Sequence, residues 1–123
     1  MKSRDTLIRL KRFQAEEKRR RVRQIEMMVA EFTRMTIDLD REIANEEKRA
    51  GISDPSHFAY PTYARAAVAR RDNLKRSVEE LTAQIEEAKA AQEEAQAELL
   101  KYESLDGREK AIERGAEAAS ARL

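Results

Sequence analysis

The sequence predicts an all-α protein in which two long helices form an antiparallel coiled-coil hairpin. Three observations support this fold class: the composition, the placement of helix-breaking residues and the spacing of apolar residues. Of the 123 residues, 40% are charged and 5% aromatic, with only three glycines and two prolines. This composition is typical of long helices and coiled coils. The scarcity of Gly and Pro and a formal net charge of +1 argue against disorder.

The helix breakers divide the chain near its middle. Gly51, Pro55 and Pro61 are close together, and no other Gly or Pro occurs before Gly107. Proline removes a backbone donor and glycine favours a helix C-terminus, so a connector is expected here. We expect Asp106-Gly107 to end the second helix. The predicted segments are a first helix, a connector, a second helix and a short helical tail prone to fraying, at 1–50, 51–61, 62–106 and 107–123.

Apolar residues recur at alternating steps of three and four in both helices. This spacing places one narrow stripe, here called the seam, on each helix. Each helix would be about 65 Å long at 1.5 Å per residue, and neither could keep its seam exposed to water alone. The seam residues are Val22, Ile25, Val29, Phe32, Leu39 and Ile43 on the first helix, and Leu74, Val78, Leu81, Ile85, Ala88 and Leu99 on the second.

The charge distribution favours an antiparallel, monomeric arrangement. Residues 1–23 contain ten basic and three acidic side chains, whereas residues 77–106 contain two basic and nine acidic ones. Folding the chain back on itself brings much of the acidic block alongside the first helix, including its basic end. A parallel self-dimer would instead bring the basic ends together.

One register of the two helices satisfies the seam's polar residues best. It places Ile43 opposite Leu74 and Phe32 opposite Ile85. It also brings the polar seam residues together in the pairs Lys11–Asp106 and Glu46–Arg71. A shift of one heptad would set Arg71 against Leu39, and a buried charge without a partner is costly. The first register is therefore preferred.

Several classes of function are not expected from this composition. No apolar run approaches the roughly 18 residues of a membrane span, and no secretory signal follows the start. Without cysteine there is no disulfide or thiolate metal site. The single histidine, His57, lacks the partners of a metal site or a catalytic triad. We therefore expect no enzyme, no cofactor, no metal and no membrane insertion, and a cytoplasmic location.

Two regions are candidates for binding a partner. The N-terminal part of the first helix mixes apolar and basic side chains where the seam weakens. The connector and the residues directly after it contain three of the six aromatic residues within a short span. Aromatic residues there either anchor a partner or cap the coiled coil by packing on Ile52 and Val68. The candidates are Arg4, Leu7, Arg9, Leu10, Lys11, Arg12 and Phe13 in the first region, and His57, Phe58, Tyr60 and Tyr63 in the second.

The basic run Lys18-Arg19-Arg20-Arg21, together with Arg23, invites a nucleic-acid interpretation. Glu16 and Glu17 precede it, and no aromatic residues are interleaved for base stacking. An acidic protein partner or a merely solvated face explains the run better, and no nucleic acid is expected.

The chain resembles the bacterial flagellar export protein family FliJ. Leu7-Ile8-Arg9-Leu10-Lys11-Arg12-Phe13, followed by Glu16-Glu17-Lys18-Arg19, looks like that family's opening. The segment Asp54-Pro55-Ser56-His57-Phe58-Ala59-Tyr60-Pro61-Thr62-Tyr63-Ala64, continuing into Arg70-Arg71-Asp72-Asn73-Leu74, is similar to the connector of one branch. The resemblance covers nearly the whole chain in length and layout.

The resemblance implies a non-enzymatic component of the flagellar type III export apparatus, located in the cytoplasm and peripherally associated with the inner membrane. Proteins of this family look like the coiled-coil stalk of the F-type ATPase gamma subunit. Their terminal helix ends enter the hexameric export ATPase and promote its assembly. They also contact the cytoplasmic domain of the export gate and exchange export chaperones. The ATPase would use the first candidate region, and the gate or a chaperone the second.

Two other functions remain open from the residues alone. One is a structural coiled-coil spacer or oligomerisation module, and the other is a basic coiled coil associated with nucleic acid.

Overall fold

A computed structural model describes residues 2–122 and confirms the predicted fold class. It contains two helices, α1 at Lys2–Ala50 and α2 at Thr62–Ala121. The two helices pack against each other as an all-α helical hairpin, and the described residues contain no strand.

The connector ends α1 with a left-handed glycine. Gly51 has φ 72°, and its N–H donates to the carbonyl of Glu47 at 2.9 Å. Glycine adopts this conformation without a Cβ penalty, which makes it the usual residue after a helix C-terminus. Lys48 and Arg49 lie in the last turn, where positive charge interacts favourably with the helix dipole. The second helix begins directly after Pro61, whose carbonyl accepts a hydrogen bond from Arg65 N–H at 3.0 Å.

The predicted end of the second helix at residue 106 is wrong. Helix α2 continues through Gly107 and Gly115 to Ala121, and neither glycine has a positive φ. An interior glycine lowers helix propensity by about 1 kcal/mol relative to alanine, which weakens a helix without ending it. The helical tail expected after a break at 107 is instead continuous with α2 as far as Ala121.

The described chain divides into two compact units. The terminal unit combines residues 2–22 with 87–122, and the tip unit comprises residues 23–86. In the terminal unit, Arg4 pairs with Asp106 and Lys11 with Glu98, so the two helix segments run antiparallel. In the tip unit, Tyr63 contacts Glu42 and Arg71 contacts Asp40, so the segments on either side of the connector also run antiparallel.

The seam residues predicted from sequence lie on the packed faces of both helices. Each of them is buried or half-buried. The core is thin: Ile25 is the largest side chain with less than 2% of its surface exposed. Thr36, also on the seam, is buried and donates its hydroxyl to the carbonyl of Thr33 at 2.7 Å. Ile8, Ala15 and Leu99 form a small cluster in the terminal unit.

The predicted register is wrong by about one heptad. Lys11 Nζ lies 2.8 Å from Glu98 Oε1, and it is Arg4 that pairs with Asp106. In the tip unit, Arg71 Nη1 lies 3.1 Å from Asp40 Oδ1.

The side chain of Arg71 explains the error. It lies only half-buried on the seam and reaches Asp40, beside Leu39, as well as its own neighbour Asp72. In the rejected register the charge of Arg71 is therefore paired. The expected Glu46–Arg71 pair does not form, because Glu46 pairs with Arg49 along its own helix. The predicted pairs Ile43–Leu74 and Phe32–Ile85 depend on the same alignment, so they are wrong as well.

Candidate functional site

An ionic cluster joins the start of α1 to α2 in the terminal unit. The guanidinium of Arg4 contacts Asp106 and Glu109 and lies 3.9 Å from Glu113. Only 16% of the Arg4 side chain and 13% of the Asp106 side chain are exposed. The hydrogen bond with Glu109 raises the pKa of Arg4. The hydrogen bond from Lys110, whose Nζ lies 3.1 Å from Asp106 Oδ2, lowers the pKa of Asp106. Arg4 therefore holds the two helices together.

Lys11 has the same role one heptad further along α1. Its ammonium donates to Glu98 and lies 5.4 Å from the centroid of the Tyr102 ring. This hydrogen bond lowers the pKa of Glu98. Lys11, a charged residue in the weak part of the apolar seam, thus connects the two helices.

Other predicted residues of α1 face outward. Arg9, Leu10, Arg12 and Phe13 are exposed, and 57% of Phe13 is accessible to solvent. Arg12 lies 3.7 Å from Glu103, a loose contact between two exposed side chains. Leu7 is half-buried in a groove of about 410 Å³ that also involves Tyr102 and Leu105. The candidate region therefore divides into residues that join the helices and residues that remain available to a partner.

The connector aromatics also divide into two roles. Tyr60 is only 4% exposed, and its hydroxyl donates to Glu47 Oε2 at 2.8 Å. Burial, reinforced by the Glu47 carboxylate, raises the pKa of Tyr60. The Arg65 guanidinium lies 5.5 Å from the centroid of its ring. Tyr60 is therefore buried at the tip, where its hydroxyl contacts Glu47 and its ring lies near Arg65.

Phe58, in contrast, projects into solvent with 93% of its surface exposed. Its ring stacks on His57, with centroids 4.8 Å apart and an angle of 22° between the planes. His57 Nδ1 accepts a hydrogen bond from Ala59 N–H at 3.0 Å. Local backbone hydrogen bonding thus fixes the turn that presents Phe58. A fixed, exposed aromatic ring can contribute a large contact area with little loss of entropy.

A polar turn precedes this pair. The Asp54 carboxylate accepts hydrogen bonds from the Ser56 N–H at 3.0 Å and from its hydroxyl at 2.8 Å. The backbone hydrogen bond is the main cause of the lowered pKa of Asp54. Arg65 donates to the carbonyl of Pro55 at 3.0 Å, which ties the turn to the start of α2.

Tyr63 borders a groove of about 350 Å³ in the tip unit. Its hydroxyl donates to Glu42 Oε2 at 2.9 Å, and this hydrogen bond raises the pKa of Tyr63. The sequence pattern indicates Tyr63 as a candidate but gives no indication of the groove beside it. Small residues following the connector were the available signal, since alanine permits close helix packing. The other groove residues are Met35, Asp38, Leu39, Ala66, Ala67 and Arg70.

Several exposed apolar side chains were also missed. They lie off the seam, and their only signal in the sequence is that they do not fit the alternation of three and four. Isolated exposed apolar residues are common on protein surfaces and need no function. They include Met27, Met28 and Ile37 on α1, and Leu100, Leu105 and Ile112 on α2.

The basic run is exposed and partly paired within its own helix. Arg19 lies 3.7 Å from Glu16, and Arg20 lies 3.7 Å from Glu17. These contacts reduce the positive charge presented to an anion.

Residues 2–122 contain no cluster suited to a metal ion and no helix that could cross a membrane. In this part of the chain no group of three or more His, Cys, Asp or Glu side chains is arranged to hold a metal ion. Neither described helix has a stretch long and apolar enough to cross a membrane. Compared with protein-family models, curated proteins and solved structures, the chain gives no match.

Proposed function

We propose that this protein is a non-enzymatic stalk of the flagellar type III export apparatus. In this proposal the terminal unit engages the hexameric export ATPase, promotes its assembly and couples it to the export gate and its chaperones. The resemblance of the opening and the connector to the FliJ family supports the partners. The mechanism is supported by the difference between terminal residues that join the two helices and terminal residues that remain exposed.

The observation that carries the proposal is the set of side chains left free on α1. Arg4 and Lys11 hold α1 to α2, whereas Leu10 and Phe13 remain exposed between basic neighbours. Apolar anchors surrounded by positive charge suit a partner surface that is apolar at its centre and acidic at its rim. Such contacts would assemble the ATPase subunits around a rigid helix pair without any chemistry on the stalk.

The tip offers a second, separate surface. Phe58, stacked on His57 and held by the turn, is proposed as the anchor for the cytoplasmic domain of the gate or for a chaperone. Tyr60 is excluded from direct contact by its burial, so it acts there only by supporting the turn. Tyr63 would contribute through the adjoining groove.

Binding of the purified export ATPase and the purified gate domain tests both assignments. Leu10→Ser with Phe13→Ser should weaken ATPase binding by tenfold or more, since loss of two apolar anchors typically costs about 2 kcal/mol or more. Binding to the gate should not change. Phe58→Ser should instead weaken binding to the gate domain and leave binding to the ATPase unchanged. Met27→Ser with Met28→Ser, which also removes two exposed apolar side chains, should affect neither.

Other outcomes would favour the alternative functions. A stable multimer that binds neither partner would favour a structural spacer. Salt-sensitive binding to DNA, without binding to either protein, would favour a nucleic-acid-associated coiled coil.

A further inference from the structure

The last part of α2 lacks the packing that stabilises the rest of the helix. Every side chain in residues 107–122 is exposed. Gly107 and Gly115 have open space where a Cβ would lie, with no atom within 4 Å. No close contact requires these glycines, and each lowers helix propensity. A segment of this length is only marginally helical in water without tertiary support.

One side chain of α1 supplies support on both sides of Gly107. Arg4 contacts Asp106, which precedes the glycine, and Glu109, which follows it. Glu113, one further turn along, lies 3.9 Å from the same guanidinium. A planar guanidinium with five N–H donors can engage several carboxylates at once. Its low exposure also makes the contact with Asp106 less subject to screening by salt than a surface pair.

Lys110 also makes a contact across Gly107, an ion pair with Asp106 along the same helix. Such pairs between residues four apart stabilise a helix only slightly. The tertiary contribution of Arg4 is therefore the larger influence on whether the helix continues past the glycine.

We propose that Arg4 is a conformational clamp that couples the start of α1 to helical order in residues 107–121 of α2. While Arg4 is engaged, the segment is helical, and when Arg4 is drawn away, the segment loses its helix. An acidic partner surface that competes for Arg4 would thus release the C-terminal segment. This inference goes beyond the proposed function, because it depends only on contacts within the terminal unit.

Residue-resolved Cα secondary chemical shifts of the full chain test the clamp. Arg4→Gln should reduce the helical shifts over 108–121 by about half or more, since the segment without its clamp is a marginal isolated helix. Arg12→Gln is the matched control, because Arg12 also pairs with α2 but only with Glu103, before the glycine. It should leave the shifts over 108–121 unchanged. Adding Gly107→Ala to Arg4→Gln should restore part of the loss, because the alanine methyl has room.

Unchanged shifts in Arg4→Gln, or an equal loss in Arg12→Gln, would overturn the proposal. Loss of helical shifts at 90–100 as well would mean that Arg4→Gln disrupts the whole terminal unit. Glu109→Gln with Glu113→Gln then decides, because it removes the clamp contacts from α2 while retaining the Arg4–Asp106 pair. A selective loss over 108–121 in that variant would support the clamp, and its absence would refute it.

Discussion

Replacing Ile25 by alanine should test whether the thin seam provides most of the stability. Ile25 is only 1% exposed. The substitution removes about three methylene-sized groups, each contributing about 0.8 kcal/mol when buried. A residual cavity adds to this loss, while the higher helix propensity of alanine offsets about 0.4 kcal/mol. We expect the free energy of unfolding to fall by about 2–3.5 kcal/mol.

Thermal unfolding followed by far-UV circular dichroism measures this effect. In a chain of this size, 1 kcal/mol corresponds to about 3–6 °C, so Ile25→Ala should lower Tm by about 6–20 °C. Met27→Ala is the matched control, two positions away on the same helix and 72% exposed. It should change stability by less than about 0.5 kcal/mol. Equal Tm values for the two variants would refute the assignment of the packed face.

Three other predictions address topology, tip and pH. Cysteines replacing Ala15 and Leu99, which share one cluster, should cross-link within one chain with a short thiol-reactive reagent; solely intermolecular products would contradict the antiparallel fold. Tyr60→Phe should lower stability by about 1 kcal/mol in urea unfolding, because a partly buried hydrogen bond to the Glu47 carboxylate is lost, and an unchanged midpoint would contradict the capping role. Glu98 and Asp106 have lowered pKa values in the folded state, so their stabilisation is present above their unfolded pKa values and is lost as pH falls through the folded ones. Stability should therefore decrease below about pH 4.5 and less steeply in Glu98→Gln; an identical acid profile would contradict this linkage.

The sequence was sufficient to predict the packed faces but not their alignment. Alternation of three and four identifies a seam without locating its partner along the axis, since a slip of one heptad leaves the pattern unchanged. Only the polar seam residues distinguish the registers. Their pairing depends on how far a side chain can reach: Arg71, placed against Leu39, is satisfied by the neighbouring Asp40.

The end of α2 could not be predicted from local signals for a similar reason. Asp106-Gly107 reads as a helix stop because glycine is favoured after a helix end. The helix instead continues, and Arg4, more than a hundred residues away in sequence, contacts it on both sides of the glycine. Propensity is a weak tendency that tertiary contacts can override.

The sequence predicts the regions in which the candidate sites lie, but not the role of each residue within them. Three aromatics in a short connector predicted a cluster, but its members differ: Tyr60 is buried and Phe58 is almost fully exposed. The hydrogen-bonded turn around His57 determines which ring is buried. The geometry of this turn cannot be predicted from the amino-acid composition. The basic N-terminal region likewise did not reveal that Lys11 pairs with Glu98.

Stimulation of ATP hydrolysis by the purified export ATPase tests the proposed stalk function most directly. The variant is Arg9→Glu with Arg12→Glu, which reverses charge on the exposed face of α1, and the control is Arg34→Glu with Arg41→Glu in the tip unit. The account predicts that the wild-type chain and the control stimulate hydrolysis, whereas the variant stimulates it less, more visibly at low salt than at high salt. Equal stimulation by all three proteins at low salt, or none by the wild-type chain, would contradict the proposal that the terminal unit engages the ATPase.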